Sequence, residues 1–357
     1  MQKLKNFYKD KKILVTGHTG FKGSWLVSTL LFFGAKVYGY SIADKHKKNY
    51  KNFCDYKKVH NFYGNVLDKK KLNNFIKKIQ PEIIFHLAAQ PLVSTSYILP
   101  ELTFETNING TLNILENTKK IKSIKSVLIV TSDKCYKNEN KLNLVYNESH
   151  PLGGEDPYSA SKAATEIIFN SYLKSGLISL DRCGIATARS GNVIGGGDWA
   201  KDRIIPDCVR SIINKKKIII RNPKFTRPWQ HVLETTSGYL ILAKKLFEKP
   251  ILFSSSYNFG PINSRSVSVM KLANIFLKEF NIKKEIKIKS KFKFKESRFL
   301  KLSSNKSLKN LGWKNYWSIK NSIKETARWY KLYFFKNKKI KKFTKNQIND
   351  FFDNQNL

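Results

Sequence analysis

The stretch TSDKCY, Thr131 to Tyr136, sets a hydroxyl, a carboxylate and an amine side by side at Ser132, Asp133 and Lys134. It follows an apolar run, SVLIV, so the acid and the base stand at the mouth of a predicted strand. Further on, YSASK places Tyr158 and Lys162 four positions apart, which on a helix is one face. An ammonium beside a phenol stabilises the phenolate and draws its pKa down from about 10, so Tyr158 is predicted to be a usable general base. The remaining question is what else the chain positions around these groups.

TGHTGFKG puts Gly17, Thr19, Gly20, Phe21 and Gly23 between the first predicted strand and the first helix. Glycine there lets the backbone turn tightly and approach a pyrophosphate, which then rests on the free N–H groups of the helix N-terminus. An acid closing the second strand would take the adenosine ribose; YGYS offers Ser41 instead, with Asp44 the nearest carboxylate. Asn65 and Val66, closing the third predicted strand, are placed at the adenine.

The elements follow from hydrophobic patterning. KKILVTG, AKVYGYS, KVHNFYGNV, PEIIFHLAA and SVLIVTS read as strands, and Ser24–Phe33, KKLNNFIKKI and Thr103–Lys119 as helices between them. Strands rich in β-branched residues without polar alternation are buried on both faces, so a doubly wound, parallel α/β sheet of the Rossmann type is predicted. After Arg189 the texture changes to a Gly-rich loop, a helix at IIPDCVRSIINK and an irregular RNPKFTRPWQHV. Residues 1–190 are predicted to form the dinucleotide-binding domain, to which the chain returns around 229–257. Residues 191–335 are predicted as a smaller substrate lobe, and 336–357 as a basic tail, partly disordered or frayed.

The formal net charge of +40 suggests nucleic acid, but 57 of the 66 basic residues are lysines scattered along the whole chain, whereas phosphate grooves favour arginine. Solvated surface lysine is the expectation, with no specific nucleic-acid partner. No apolar run is long enough to span a bilayer and the first residues carry no signal-like h-region, so a soluble cytoplasmic protein is expected. The four cysteines stand apart without a C-x-x-C pair or histidines at ligand spacing, which predicts neither disulfide nor metal site.

The glycine motif, HLAA, Ser132 and Tyr158-x-x-x-Lys162 together resemble the extended short-chain dehydrogenase/reductase superfamily over nearly the whole chain. GHTGFKGSW, TSDKCY, SGNVIGGGDWAKDRIIPD and RPWQHVLE are similar to the nucleotide-sugar 4,6-dehydratases, and among them to the branch acting on CDP-glucose. The resemblance implies NAD held also by Leu87, Ala88 and Ala89, and a lyase that oxidises C4, eliminates water across C5 and C6, and returns hydride to C6. It makes Asp133 the acid for the C6 hydroxyl and gives Lys134 the position of the C5 base; a lysine left cationic there would instead stabilise the enolate. Gln90, Asn192, Arg203, Arg227 and Arg298 are placed at the nucleotide sugar, and a homodimer or dimer of dimers and a role in surface polysaccharide such as O-antigen are implied. A nucleotide-sugar 4-epimerase or reductase would share Tyr158 and Lys162 without needing Asp133. From another class, a degenerate RNA-binding relative would have no use for an intact Ser132, Tyr158 and Lys162.

Overall fold

A computed structural model describes residues 2–43, 50, 53–262, 267–282, 285–288, 297–335 and 339–353. Strands β1 (Lys12–Thr16), β2 (Lys36–Ser41), β3 (His60–Tyr63), β4 (Ile83–His86), β5 (Ser126–Val130) and β6 (Gly184–Ser190) come from the first 190 residues. The rest of the chain adds the short strands β7 (Val193–Ile194), β8 (Ile218–Ile220), β9 (Thr226–Arg227) and β10 (Gln230–His231), then β11 (Ser256–Phe259), β12 (Val267–Ser268) and β13 (Ile286–Ile288). Seven strands form one sheet in the order β11-β6-β5-β4-β1-β2-β3, every pairing parallel.

Burial on both faces explains why these runs are unbroken hydrophobics. Ile13 and Val15 face one core cluster while Leu14 between them faces the other, and Ile83 and Phe85 alternate with Ile84 in the same way. Helices Phe21–Phe32 and Val232–Glu248 cover the first face; Lys69–Ile79, Gly110–Lys120 and Pro157–Lys174 cover the second. Chain order reverses at β1, between β4 and β2, which opens a crevice beyond the carboxyl ends of these strands.

Three local differences from the sequence reading have physical causes. Strand β3 stops at Tyr63, so Asn65 and Val66 lie in the turn beyond it; Asn65 Oδ1 accepts from Leu67 N at 3.0 Å. The predicted helix Thr103–Lys119 is three pieces, with a π turn at Glu105–Asn109 between Pro100–Phe104 and Gly110–Lys120. The extra residue in that turn accompanies Asn107 being buried, its amide bonded to Ser161 Oγ at 2.8 Å and Gln90 O at 3.2 Å. The lysine-rich tail, read as frayed or partly disordered, runs as a helix over Ile340–Asp353. Ile340, Ile348, Phe351 and Phe352 form a buried stripe between the lysines, and Trp329 Nε1 donates to Thr344 Oγ1 at 2.9 Å.

Candidate active site

Tyr158 owes its place to a helix start. Asp156 caps the helix Pro157–Lys174, accepting from Ser159 N at 2.9 Å, and Pro157 fixes the first turn. Tyr158 therefore stands at the helix mouth, on the cleft, and Lys162 lies one turn deeper, buried, with Nζ donating to Val130 O at 3.3 Å. The two share a face, as their spacing predicts. Their electrostatics differ from expectation. Burial pushes the Tyr158 phenol up to about 12, with Ser132 and Arg203 pulling it down and Asp133 and Asp156 pushing it up. Burial also holds the Lys162 amine down near 8, helped by Lys22 and opposed by Glu166. The sequence reading counted the cation and omitted the loss of water around both groups.

Ser132, Asp133 and Lys134 leave the end of β5 in a single tight turn. Ser132 caps the 3-10 turn Asp133–Cys135 by accepting from Lys134 N at 3.2 Å, and donates to Asp133 Oδ1 at 3.1 Å. Asp133 Oδ2 is buried and has no hydrogen-bond partner among the described residues. Burial pushes this carboxyl above the usual carboxylate range, against the pull of Lys134, Ser132, Arg227 and Lys22. The turn is braced from below. Glu166 accepts from Thr131 Oγ1 at 2.5 Å, from Thr187 and Arg189 at 2.8 Å and from Ser256 at 3.0 Å, and Arg189 reaches on to Tyr136 at 2.8 Å.

Between β1 and the helix Phe21–Phe32 the backbone is bare. Gly17 has φ +68°, and a Cβ there would stand 2.7 Å from Ala88 N; one on Gly23 would overlap the Gly17 carbonyl. Gly20 caps the helix without a side chain, leaving N–H groups for an anion. Thr19 and Ser41 meet through their hydroxyls at 3.2 Å, and Leu87, Ala88 and Ala89 are half-buried after β4, beside the glycine turn. This cradle fits a dinucleotide pyrophosphate. Asp44 lies outside the described residues.

One cleft is lined by Phe21, Ser132, Asp133, Lys134, Tyr158, Asn192, Arg203 and Arg227. Arg203 pairs with Asp198 at 3.0 Å. Arg227 donates to Ser297 O at 2.7 Å, Thr226 O at 2.9 Å and Arg298 O at 3.1 Å. Two expected ligands of the sugar nucleotide stand elsewhere. Gln90 is buried, its side chain spent on Leu92 and Thr103, and Arg298 lines a neighbouring hollow with Arg221 and Phe225. The sequence reading missed Lys22, which lines the cleft and bonds to Ser190 Oγ at 2.7 Å. Its signal was a lysine set between glycines at the first turn of a helix, hidden among so many others. His18, His86 and His231 are buried and held neutral, near 4, 3 and 3, by loss of water.

A sequence model of the family described as GDP-mannose 4,6 dehydratase matches residues 14–326. The chain belongs to this family. Among relatives of the GDP-mannose 4,6 dehydratase family, the CDP-glucose 4,6-dehydratase of Salmonella typhimurium is 39% identical over 332 residues, 92% of each chain. The dTDP-D-glucose 4,6-dehydratase of Dictyostelium discoideum is 30% identical, over 90% of this chain and 82% of that one. Among solved structures, a dTDP-glucose 4,6-dehydratase of Bacillus anthracis in complex with NAD superimposes with TM-score 0.75 at 22% identity, covering 91% and 99% of the two chains. A UDP-glucose 4-epimerase of Thermotoga maritima gives 0.78 at 22%, covering 88% and 97%. Both share the fold of the family.

Proposed function

We propose that the chain is an NAD-dependent lyase converting CDP-glucose to CDP-4-dehydro-6-deoxyglucose. The observation that carries the dehydratase reading over the epimerase one is Asp133. A buried carboxyl biased toward its neutral form, with an unpartnered oxygen, stands in the same cleft as Tyr158, and only water loss has use for it. The cytidine nucleotide rests on the 39% identity to the Salmonella enzyme, and NAD on the glycine cradle together with the NAD bound by the Bacillus anthracis relative.

NAD held at the turn of Gly17, Gly20 and Gly23 would supply the acceptor for hydride from C4 of the sugar and the donor of that hydride to C6. Tyr158 takes the proton of the C4 hydroxyl, with Ser132 donating to the oxygen that becomes the carbonyl. The 4-ketone acidifies the C5 proton; Lys134 stands at the cleft to remove it or to steady the enolate. Neutral Asp133 protonates the departing C6 hydroxyl. Arg203 and Arg227 bring cations toward the diphosphate.

A homodimer is supported by Ile98, Leu102 and Ile167, left exposed on neighbouring helices, and by Leu99 in the link between the first two. None of the described helices is long and apolar enough to cross a membrane, in keeping with a cytoplasmic enzyme.

The test is isotopic. CDP-glucose deuterated at C4 should lose one water and carry the deuterium at C6 of the product. Turnover without deuterium at C6 would defeat the reading.

A further inference from the structure

The glycine-rich segment between β7 and the helix Ile204–Ile213 is pressed onto the C-terminal helix Ile319–Phe335. A Cβ on Gly196 would overlap the Trp329 indole, so only bare backbone fits there, and Gly197 turns with φ +80°. The glycines thus serve close packing. Trp25 Nε1 donates to Gly196 O at 2.9 Å, and the Trp199 and Tyr330 rings meet edge-on with centroids 5.5 Å apart. Tyr330 is fully buried, and its hydroxyl donates to Asp198 O at 2.5 Å.

At Asp198 this grip reaches the cleft. Its buried carboxylate accepts from Ala200 N at 3.1 Å through one oxygen and from Arg203 Nη1 at 3.0 Å through the other. Arg203 lines the cleft together with Tyr158, whereas among the described residues none from the helix Ile319–Phe335 does. The contacts therefore run from Tyr330 to Asp198 and from Asp198 to Arg203, out of the core and into the site. An arginine fixed before its ligand arrives loses less freedom on binding it.

We propose that Tyr330 is a positioning residue for the sugar nucleotide: by holding Asp198 it presets the Arg203 guanidinium for the diphosphate, although it does not itself reach the cleft. The proposal rests on the reading above, in which Arg203 meets a nucleotide diphosphate. That diphosphate carries the same charge before and during the chemistry, so Tyr330 supports binding and no chemical step.

Two measurements on the full chain test it: calorimetric titration with CDP, which carries the diphosphate and is not turned over, and steady-state kinetics with CDP-glucose. Tyr330→Phe removes one hydroxyl and should weaken CDP binding roughly three- to tenfold, the usual worth of one hydrogen bond. KM should rise by the same factor while kcat stays within about twofold of the parent. Gln347→Met is the structural control. Gln347 ties the two C-terminal helices by donating to Glu325 O at 3.0 Å and Oε2 at 2.9 Å, so its loss should lower the melting temperature and leave CDP affinity parental. Should Tyr330→Phe fail to fold, Asp198→Asn, which weakens the hold on Arg203, carries the same expectation for CDP. CDP affinity and KM unmoved by these substitutions, or lowered equally by Gln347→Met, overturn the role of Tyr330. If Arg203→Met binds CDP as tightly as the parent, the placement of Arg203 falls and the proposal with it. A parent chain that does not bind CDP overturns the nucleotide reading itself.

Discussion

Glu166 and Arg189 are the pair on which the turn carrying Ser132 and Asp133 depends, and breaking it should be costly. The two side chains are 0% and 2% exposed and meet at 2.8 Å, and the carboxylate also accepts from Thr131, Thr187 and Ser256. Glu166→Gln leaves the Arg189 guanidinium buried without a counter-charge, a change that typically costs about 3–5 kcal/mol. For a chain of this length that is a fall in melting temperature of roughly 5–10 °C. Arg189→Met should cost a similar amount by stranding the carboxylate. The double variant Glu166→Gln with Arg189→Met removes both charges, so it should be less destabilised than the sum of the singles by roughly 1–3 kcal/mol; the hydrogen bonds lost keep it below the parent. Urea melts of the parent, the singles and the double close the cycle. If Glu166→Gln melts within a degree of the parent, or if the double variant costs as much as both singles added, the pair does not brace this turn as described.

Four further outcomes follow from the same geometry. Asp133→Asn should leave oxidation at C4 intact, seen as transient reduced-nicotinamide absorbance, while water loss slows by about 10²–10⁴-fold, the usual worth of a general acid; parental dehydration would remove Asp133 from that step. Lys134→Met should slow exchange of the C5 hydrogen with solvent deuterium, read by NMR, and undiminished exchange would exclude it from the chemistry. Gly23→Ala forces a methyl into the Gly17 carbonyl and should abolish NAD binding in calorimetry while the sheet still folds by circular dichroism. Burial raises the Glu234 carboxyl from 4.5 to about 7 against the pull of the Trp317 and Tyr316 N–H groups. Between those pH values the folded chain holds a proton that the unfolded chain has lost. Glu234 therefore stabilises fully below pH 4.5 and loses roughly 3 kcal/mol as pH rises to about 7. Relative to Glu234→Gln, the parent should become less stable from pH 4.5 to 7 and level off above, and a flat difference in urea melts would refute it.

What the sequence disclosed and what it hid divide along a physical line. Local pattern sufficed for β1, β4 and β5, because strands buried on both faces must be continuous hydrophobics, and for the glycine turn, because only bare backbone allows Gly17 and Gly23 to approach their neighbours. It sufficed for Tyr158 and Lys162, since helical spacing alone puts them on one face. Desolvation was not legible. It depends on everything packed around a group, and so the reversal at Tyr158 appears only in three dimensions. Gln90 could not be placed either, because its amide donates to Thr103 and its backbone N–H to Asn107, which is set by a π turn that no residue pattern announces. Lys22 was obscured by composition, and the tail by its lysines, although the spacing of Ile340, Ile348, Phe351 and Phe352 was there to be read.

The charge arrangement of the cleft ties these observations to one sequence of events. Lys22, Lys134, Arg203 and Arg227 line it and Lys162 lies buried behind Tyr158, so cations crowd the cleft. Part of what holds Lys162 near 8 is Lys22, a repulsion that the negative charges of a nucleotide diphosphate would relieve. Asp133 acts in the other direction: while ionised it raises the phenol of Tyr158 and hinders formation of the phenolate. In the proposed mechanism, once protonated it stops opposing the base that opens the reaction and becomes the donor that the elimination requires. Burial of a single carboxyl thus favours both steps, and that is a physical reason for setting an acid beside an amine where β5 ends.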